Sequence, residues 1–114
     1  MDKTVNSRRT LGEWMRQCRE ARQLPLRKVA AHLDVDTSIV AKMEKGQRHP
    51  NRIHLQRLAE LFDEPFDDVL VLYLSDRVAY ELASERCSDD VLRVAEEKIK
   101  YLRSKNVKQG ELEF

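Results

Sequence analysis

An all-α fold, five short helices followed by one or two additional C-terminal helices, is predicted by three features of this 114-residue sequence. Apolar residues recur at helical rather than strand spacing along most of the chain. Three Gly and three Pro are too few for the many turns of a β-sandwich. Charged residues make up 36% and apolar residues 41%, the composition of a folded, soluble, helix-rich chain. The length leaves room for one modest core and excludes a two-domain enzyme with an interdomain cleft.

The first helix is expected from about Thr10 to Gln23, because Leu11, Trp14, Met15 and Cys18 fall on one face at i, i+3, i+4 and i+7. Thr10 is its cap, with Glu13 at the return position of a capping box. Pro25 marks the second start, and Leu26, Val29, Ala30 and Leu33 repeat the stripe over barely two turns. Asp34-Val35-Asp36 interrupts it. Asp36 is expected to cap a third helix through its carboxylate, with Val40 and Met43 facing inward and Gly46 ending the helix. Gln47 to Asn51 reads as an exposed loop, and Asn51 caps a fourth helix carrying Leu55, Leu58, Ala59 and Phe62. A fifth helix starts near Pro65 and runs through Val69 to Leu74. Ser75-Asp76 is expected to kink or restart it before it continues through Val78, Leu82 and Ala83 toward Cys87. Ser88, Asp89 and Asp90 open a last helix with Leu92, Ala95, Ile99 and Leu102 on one side.

No apolar run approaches the roughly 20 residues of a membrane span, and the polar start MDKTVNSRR leads into no signal-peptide core, so a cytoplasmic protein is expected. Cys18 and Cys87 lie far apart, with no Cys or His nearby at ligand spacing, and read as reduced thiols. No metal and no cofactor are expected. His32, His49 and His54 read as surface or boundary histidines.

The net charge of +1 hides a strong asymmetry. Residues 8–57 hold 12 Lys/Arg against 5 Asp/Glu, a balance of +7, while residues 58–114 hold 8 against 14, a balance of −6. A basic first half suits a polyanion, since cations placed near phosphates release condensed counterions.

The string from Leu11 to Phe62 resembles the helix-turn-helix domain of the phage-repressor or Xre family of prokaryotic transcription regulators, a lambda-repressor-like fold. The resemblance covers residues 10–64 and is carried by Arg16-x-x-Arg19, Val29-Ala30-x-x-Leu33, Val40-x-x-Met43-Glu44-x-Gly46, Pro50 and the Leu55, Leu58, Ala59 stripe. It implies a helix-turn-helix DNA-binding domain over 10–64, which the pattern along the chain flanks with an N-terminal arm (1–9), C-terminal helices expected to dimerise (65–104) and a flexible tail (105–114). It also implies that the third helix stands far enough from the body to enter a major groove about 12 Å wide. By match to the family's positions, Thr37, Ser38, Ala41 and Lys42 reach base edges, and Arg19 pairs with Glu44. Phosphate contacts are expected from Arg27, Lys28, Lys45, Gln47, Arg48 and Asn51, with Arg8 and Arg9 as a short arm. Three residues depart from the family pattern: Leu26 replaces a polar phosphate-contacting residue, Asp34 stands at the usual turn Gly, and Asp36 replaces a Ser or Thr cap. Binding is therefore expected to be weaker or more salt-sensitive than the motif alone suggests.

Beyond that domain, Val71, Leu74, Val78 and Leu82 form one apolar stripe, and Leu92, Ala95, Ile99 and Leu102 a second with 3-4-3 spacing. Two helices cannot hide both seams in a monomer. A homodimer is expected, with two recognition helices about 34 Å apart on a palindromic site. The leading reading is a transcription repressor acting on double-stranded DNA. The alternatives are an antitoxin or adaptor whose C-terminal helices bind a partner protein, or a restriction-modification controller. An enzyme is not expected, because there is no phosphate loop, no nucleophile with a base at recognisable spacing and no metal cluster.

Overall fold

The computed structural model describes residues 9–109 as six helices with no strand. They are α1 (Leu11–Ala21), α2 (Leu26–Leu33), α3 (Thr37–Glu44), α4 (Arg52–Leu61), α5 (Phe66–Leu82) and α6 (Ser88–Gln109). Residues 1–8, most of the expected arm, and 110–114, the end of the expected tail, lie outside the described residues. The chain divides into two compact units between Ala79 and Tyr80.

The first unit is organised by one core. Trp14, Met15, Val29, Leu33, Val40, Met43, Leu55, Leu58, Phe62, Val69 and Leu72 are all buried in it, so each of the five helices contributes its apolar face. Trp14 meets Phe62 edge-on at 5.4 Å, the arrangement that aromatic quadrupoles favour. Val69 and Leu72 draw the first turns of α5 into this core, which is why the unit extends to Ala79, past the boundary expected at 64.

Helix ends follow their local chemistry. Thr10 Oγ1 accepts from Glu13 N while Thr10 N–H donates to Glu13 Oε1, the expected capping box. Asn51 does the same for α4, with His54 taking the role that Glu or Gln usually fills. Asp36 occupies the N-cap of α3 but makes no side-chain cap bond. Its expected role as a hydrogen-bonding cap is therefore corrected to that of a charge near the helix's positive end.

Two further expectations change. Ser75-Asp76 does not restart α5, which runs as one helix from Phe66 to Leu82. Ser75 Oγ donates to Leu72 O inside the helix, and Asp76 Oδ2 accepts from Leu11 N at 2.8 Å, so both polar groups are used without breaking the ladder. α5 stops at Leu82 rather than reaching toward Cys87. α6 in turn continues to Gln109, beyond the expected tail start at 105. No Gly or Pro interrupts the sequence before Gly110, and its cations lie toward the C-terminal end where the helix dipole favours them.

Candidate nucleic-acid interface

The two helices of the candidate site are joined by a turn that the sequence can only just make. Asp34 adopts φ 58°, ψ 49°, the left-handed conformation in which a side chain is strained and which Asp tolerates better than most. The reward is closure of α2, since Asp34 N–H donates to Ala31 O and Val35 N–H to Ala30 O at 3.0 Å. Val35 then packs half-buried against the core beneath the turn.

α3 leaves this turn with Val40 and Met43 buried. Thr37, Ser38, Lys42 and Lys45 are exposed and Ala41 is half-buried, so the i, i+1, i+4, i+5, i+8 set forms the outer face of a two-turn rod. Gly46 ends it at φ 75°, allowing Gln47 N–H to return to Lys42 O at 2.8 Å. Gln47 and Arg48 follow on an exposed loop that buried Pro50 anchors to the body. Arg27 and Lys28 project from the first turn of α2. Leu26, where a polar phosphate ligand was expected to be missing, packs half-buried on the core instead.

The C-terminal end of α3 is fixed from behind by α1. Arg19 Nε donates to Glu44 Oε2 at 2.7 Å and a second guanidinium nitrogen to Oε1 at 3.1 Å, a two-pronged pair whose side chains are only 15% and 8% exposed. A third bond runs from Arg19 to Leu24 O, closing α1. The hydrogen bond to Glu44, set against partial burial, raises the Arg19 pKa above its ordinary value, so the guanidinium stays charged at every accessible pH. Gly12 provides the second contact. A Cβ placed there would lie 2.4 Å from Glu44 O and 2.8 Å from Met43 O, distances no side chain can meet without backbone movement.

These supports revise what the charge count meant. Arg16 pairs with Glu20, Arg22 donates to Cys18 O and Phe62 O while its guanidinium lies over the Phe62 ring, and Arg57 donates to Leu33 O. Arg9, expected in the arm, donates to Gln17 Oε1 at 2.9 Å. Arg19, Arg22 and Arg57 thus tie helix ends to the body, and the exposed cations at the α2–α3 face are Arg27, Lys28, Lys42, Lys45 and Arg48.

At the start of α4, Asn51 N–H donates to His54 Nδ1 at 3.2 Å and His54 N–H to Asn51 Oδ1 at 2.8 Å. Burial, with Arg57 and Arg48 nearby, lowers the His54 pKa. Nδ1 can accept only when the ring is neutral at that nitrogen, so hydrogen bond and pKa agree. Burial chiefly raises the Asp76 pKa, with Glu13 adding to it and the bond from Leu11 N–H opposing it.

The helix-turn-helix family model matches residues 15–69, the span that contains α2, the strained turn and α3. This segment is a helix-turn-helix domain of the Xre, lambda-repressor-like family. Comparison with curated proteins and with solved structures gave no match. An Xre-type domain is the DNA-binding module of a transcription regulator, and in this one aspartates stand at both the left-handed turn position, Asp34, and the N-cap of α3, Asp36. Outside the Xre-type domain, no described helix is long and apolar enough to cross a membrane, and the described residues hold no group of three metal-ligating side chains.

Sequence reasoning missed Gly12 and Asp76. Gly12 carried a faint signal, as a glycine one residue inside a helix that otherwise avoids it. Asp76 carried none, because its partner lies 65 residues away.

Proposed function

We propose that this protein is a sequence-specific transcription repressor of the cytoplasm that binds a palindromic operator as a homodimer. The observation that carries the reading is the α3 face: a short rod supported by α1 and α2, with Thr37, Ser38, Ala41 and Lys42 turned outward and cations on both flanks. Thr37 and Ser38 can donate to or accept from several bases, Ala41 can pack on a thymine methyl, and Lys42 reaches guanine acceptors. Arg27, Lys28, Lys45, Gln47 and Arg48 hold the phosphates on either side. Asn51 has its Oδ1 engaged by His54 N–H, so its phosphate contact runs through the amide nitrogen. Asp34 and Asp36, both exposed, add negative charge at the same face and weaken binding by repelling the phosphates.

The dimer reading rests on the apolar surface left outside the core. Val71 and Leu74 are 48% exposed and Val78 47%, with Leu82 half-buried. On α6, Leu92 is 49% and Ile99 48% exposed, with Leu102 half-buried. Exposed apolar stripes on a helix are the kind of surface that another chain covers. Occupying a promoter with two such domains blocks polymerase, which is the simplest route to repression.

The test is selection of bound sequences from random duplexes, followed by titration across salt. Lys42→Ala is expected to relax base preference at one position in each half-site, and Arg48→Ala to weaken all duplexes alike and reduce the salt slope by about one. Recovery of no preferred sequence by the natural chain would overturn the reading.

A further inference from the structure

α6 carries an internal charge division that its apolar seam makes usable. Residues 88–97 hold Asp89, Asp90, Glu96 and Glu97 against Arg93, a balance of −3, whereas residues 98–109 hold five cations and no acid, a balance of +5. The helix spans 22 residues, about 33 Å. None of its side chains from Ser88 to Lys105 is buried. Its ion pairs Arg93–Asp90, Arg93–Glu97 and Lys100–Glu96 are long, at 3.7–3.9 Å, and well exposed, so they neither neutralise the division nor hold the helix in place.

The seam has a matching symmetry. Leu92 and Leu102 each lie five residues from Glu97, and Ala95 and Ile99 each lie two. When the helix is turned end over end about Glu97, each seam residue falls on another seam residue and the acidic half falls on the basic half. We propose that α6 pairs with α6 of a second copy in antiparallel orientation, Leu92 against the partner's Leu102 and Ala95 against the partner's Ile99. This rests on the homodimer part of the reading above and adds which helix forms the contact and in which direction. With Leu92 and Ala95 as core positions, the flanking positions set Asp89 beside the partner's Arg103, twice by symmetry. A parallel pair would lay −3 on −3 and +5 on +5 and bring Lys98 beside the partner's Arg103, also twice. The antiparallel register also sets Glu96 beside the partner's Glu96 and Lys98 beside the partner's Lys98, once each, so the orientation is selected by the two Asp89–Arg103 pairs and the opposite net charges of the halves, against two like-charge pairs and like-charged halves in the parallel one.

Exposed Cys87 supplies the probe. It lies ten positions from Glu97, so spin labels on the Cys18→Ala full chain should be about 30 Å apart in the antiparallel pair and about 10 Å apart in a parallel one. Pulsed electron paramagnetic resonance at a concentration where sedimentation shows a dimer is expected to give the long distance. Arg103→Glu sets a carboxylate beside the partner's Asp89 and is expected to weaken dimerisation about tenfold, whereas in a parallel pair it would meet Lys98 and tighten it. A short distance or a tighter Arg103→Glu dimer would overturn the orientation. A monomer at 100 times the duplex-binding concentration would overturn the pairing altogether, while selection of a base sequence by that same chain would leave DNA recognition standing.

Discussion

The two units of this chain use their apolar residues in opposite ways. In the first, twelve large side chains from five helices converge on one core, and the basic residues divide between tying helix ends and lining an outer face. In the second, a 22-residue helix carries a comparable apolar stripe with no buried side chain among those described. The first unit closes a core within itself although Val71, Leu74 and Val78 of its α5 stay exposed, whereas α6 closes none among its described side chains. On the proposed reading that difference separates a part that reads DNA from a part that assembles, whereas the acidic excess of the sequence lies mainly in residues 58–79, at −5, and residues 80–114 are nearly neutral, at −1.

The comparison breaks most readily at the core. Leu58→Ala removes a fully buried side chain and is expected to cost about 3 kcal/mol of unfolding free energy. Ile99→Ala, measured by the same denaturant titration in dilute solution, is expected to cost well under about 1 kcal/mol and instead to weaken association. Equal losses at the two positions would mean that α6 is packed as tightly as the core and would remove the contrast.

Next in size is the support behind α3. Gly12→Ala forces a methyl against Glu44 O and Met43 O, and is expected to cost about 1–3 kcal/mol. Because α3 must shift, discrimination between selected and random duplexes should fall more than non-specific binding does. A thermal melt gives the first effect and competition binding the second. For the neighbouring pair, Arg19→Ala or Glu44→Ala alone leaves a partly buried charge unpartnered, so the double variant should lose less than the sum of the singles, with a coupling of about 1–2 kcal/mol. Strictly additive losses would show the pair to be incidental.

The smallest effect is a pH dependence. His54 has its pKa lowered in the fold, so the unfolded chain binds its proton more readily. Its contribution is complete above the ordinary value of 6.5 and is lost as pH falls through that value toward the folded one. Stability measured from pH 7 to 5 should therefore decline, and His54→Gln, which cannot titrate, should flatten that part of the curve. Asp76 has the opposite sign: its raised pKa favours the fold at low pH, and that contribution is lost as pH rises through the folded value.

Local chemistry is what the sequence conveyed well. The Thr10–Glu13 and Asn51 caps, the stripes of α1 to α4 and the exceptional Asp34 all depend on residues within a few positions of one another, and periodicity and capping reasoning can reach that far. What it could not reach was set by contacts across the fold. Asp76 read as a break in α5 because nothing nearby satisfies it, while Leu11 N–H does so from another helix. Arg22 and Arg57 read as part of a basic field, and only the packed body shows them bound to Phe62 O and Leu33 O. Gly12 matters through the backbone of Glu44, 32 positions along the chain.

The most direct test of the division between reading and assembly is a titration of isotope-labelled protein with a selected duplex, following backbone amides by nuclear magnetic resonance. The largest shifts are expected at Thr37 to Lys45, Gln47 to Asn51 and the first turn of α2, with the amides of α6 little changed. Shifts concentrated in residues 88–109, with α3 silent, would contradict the account.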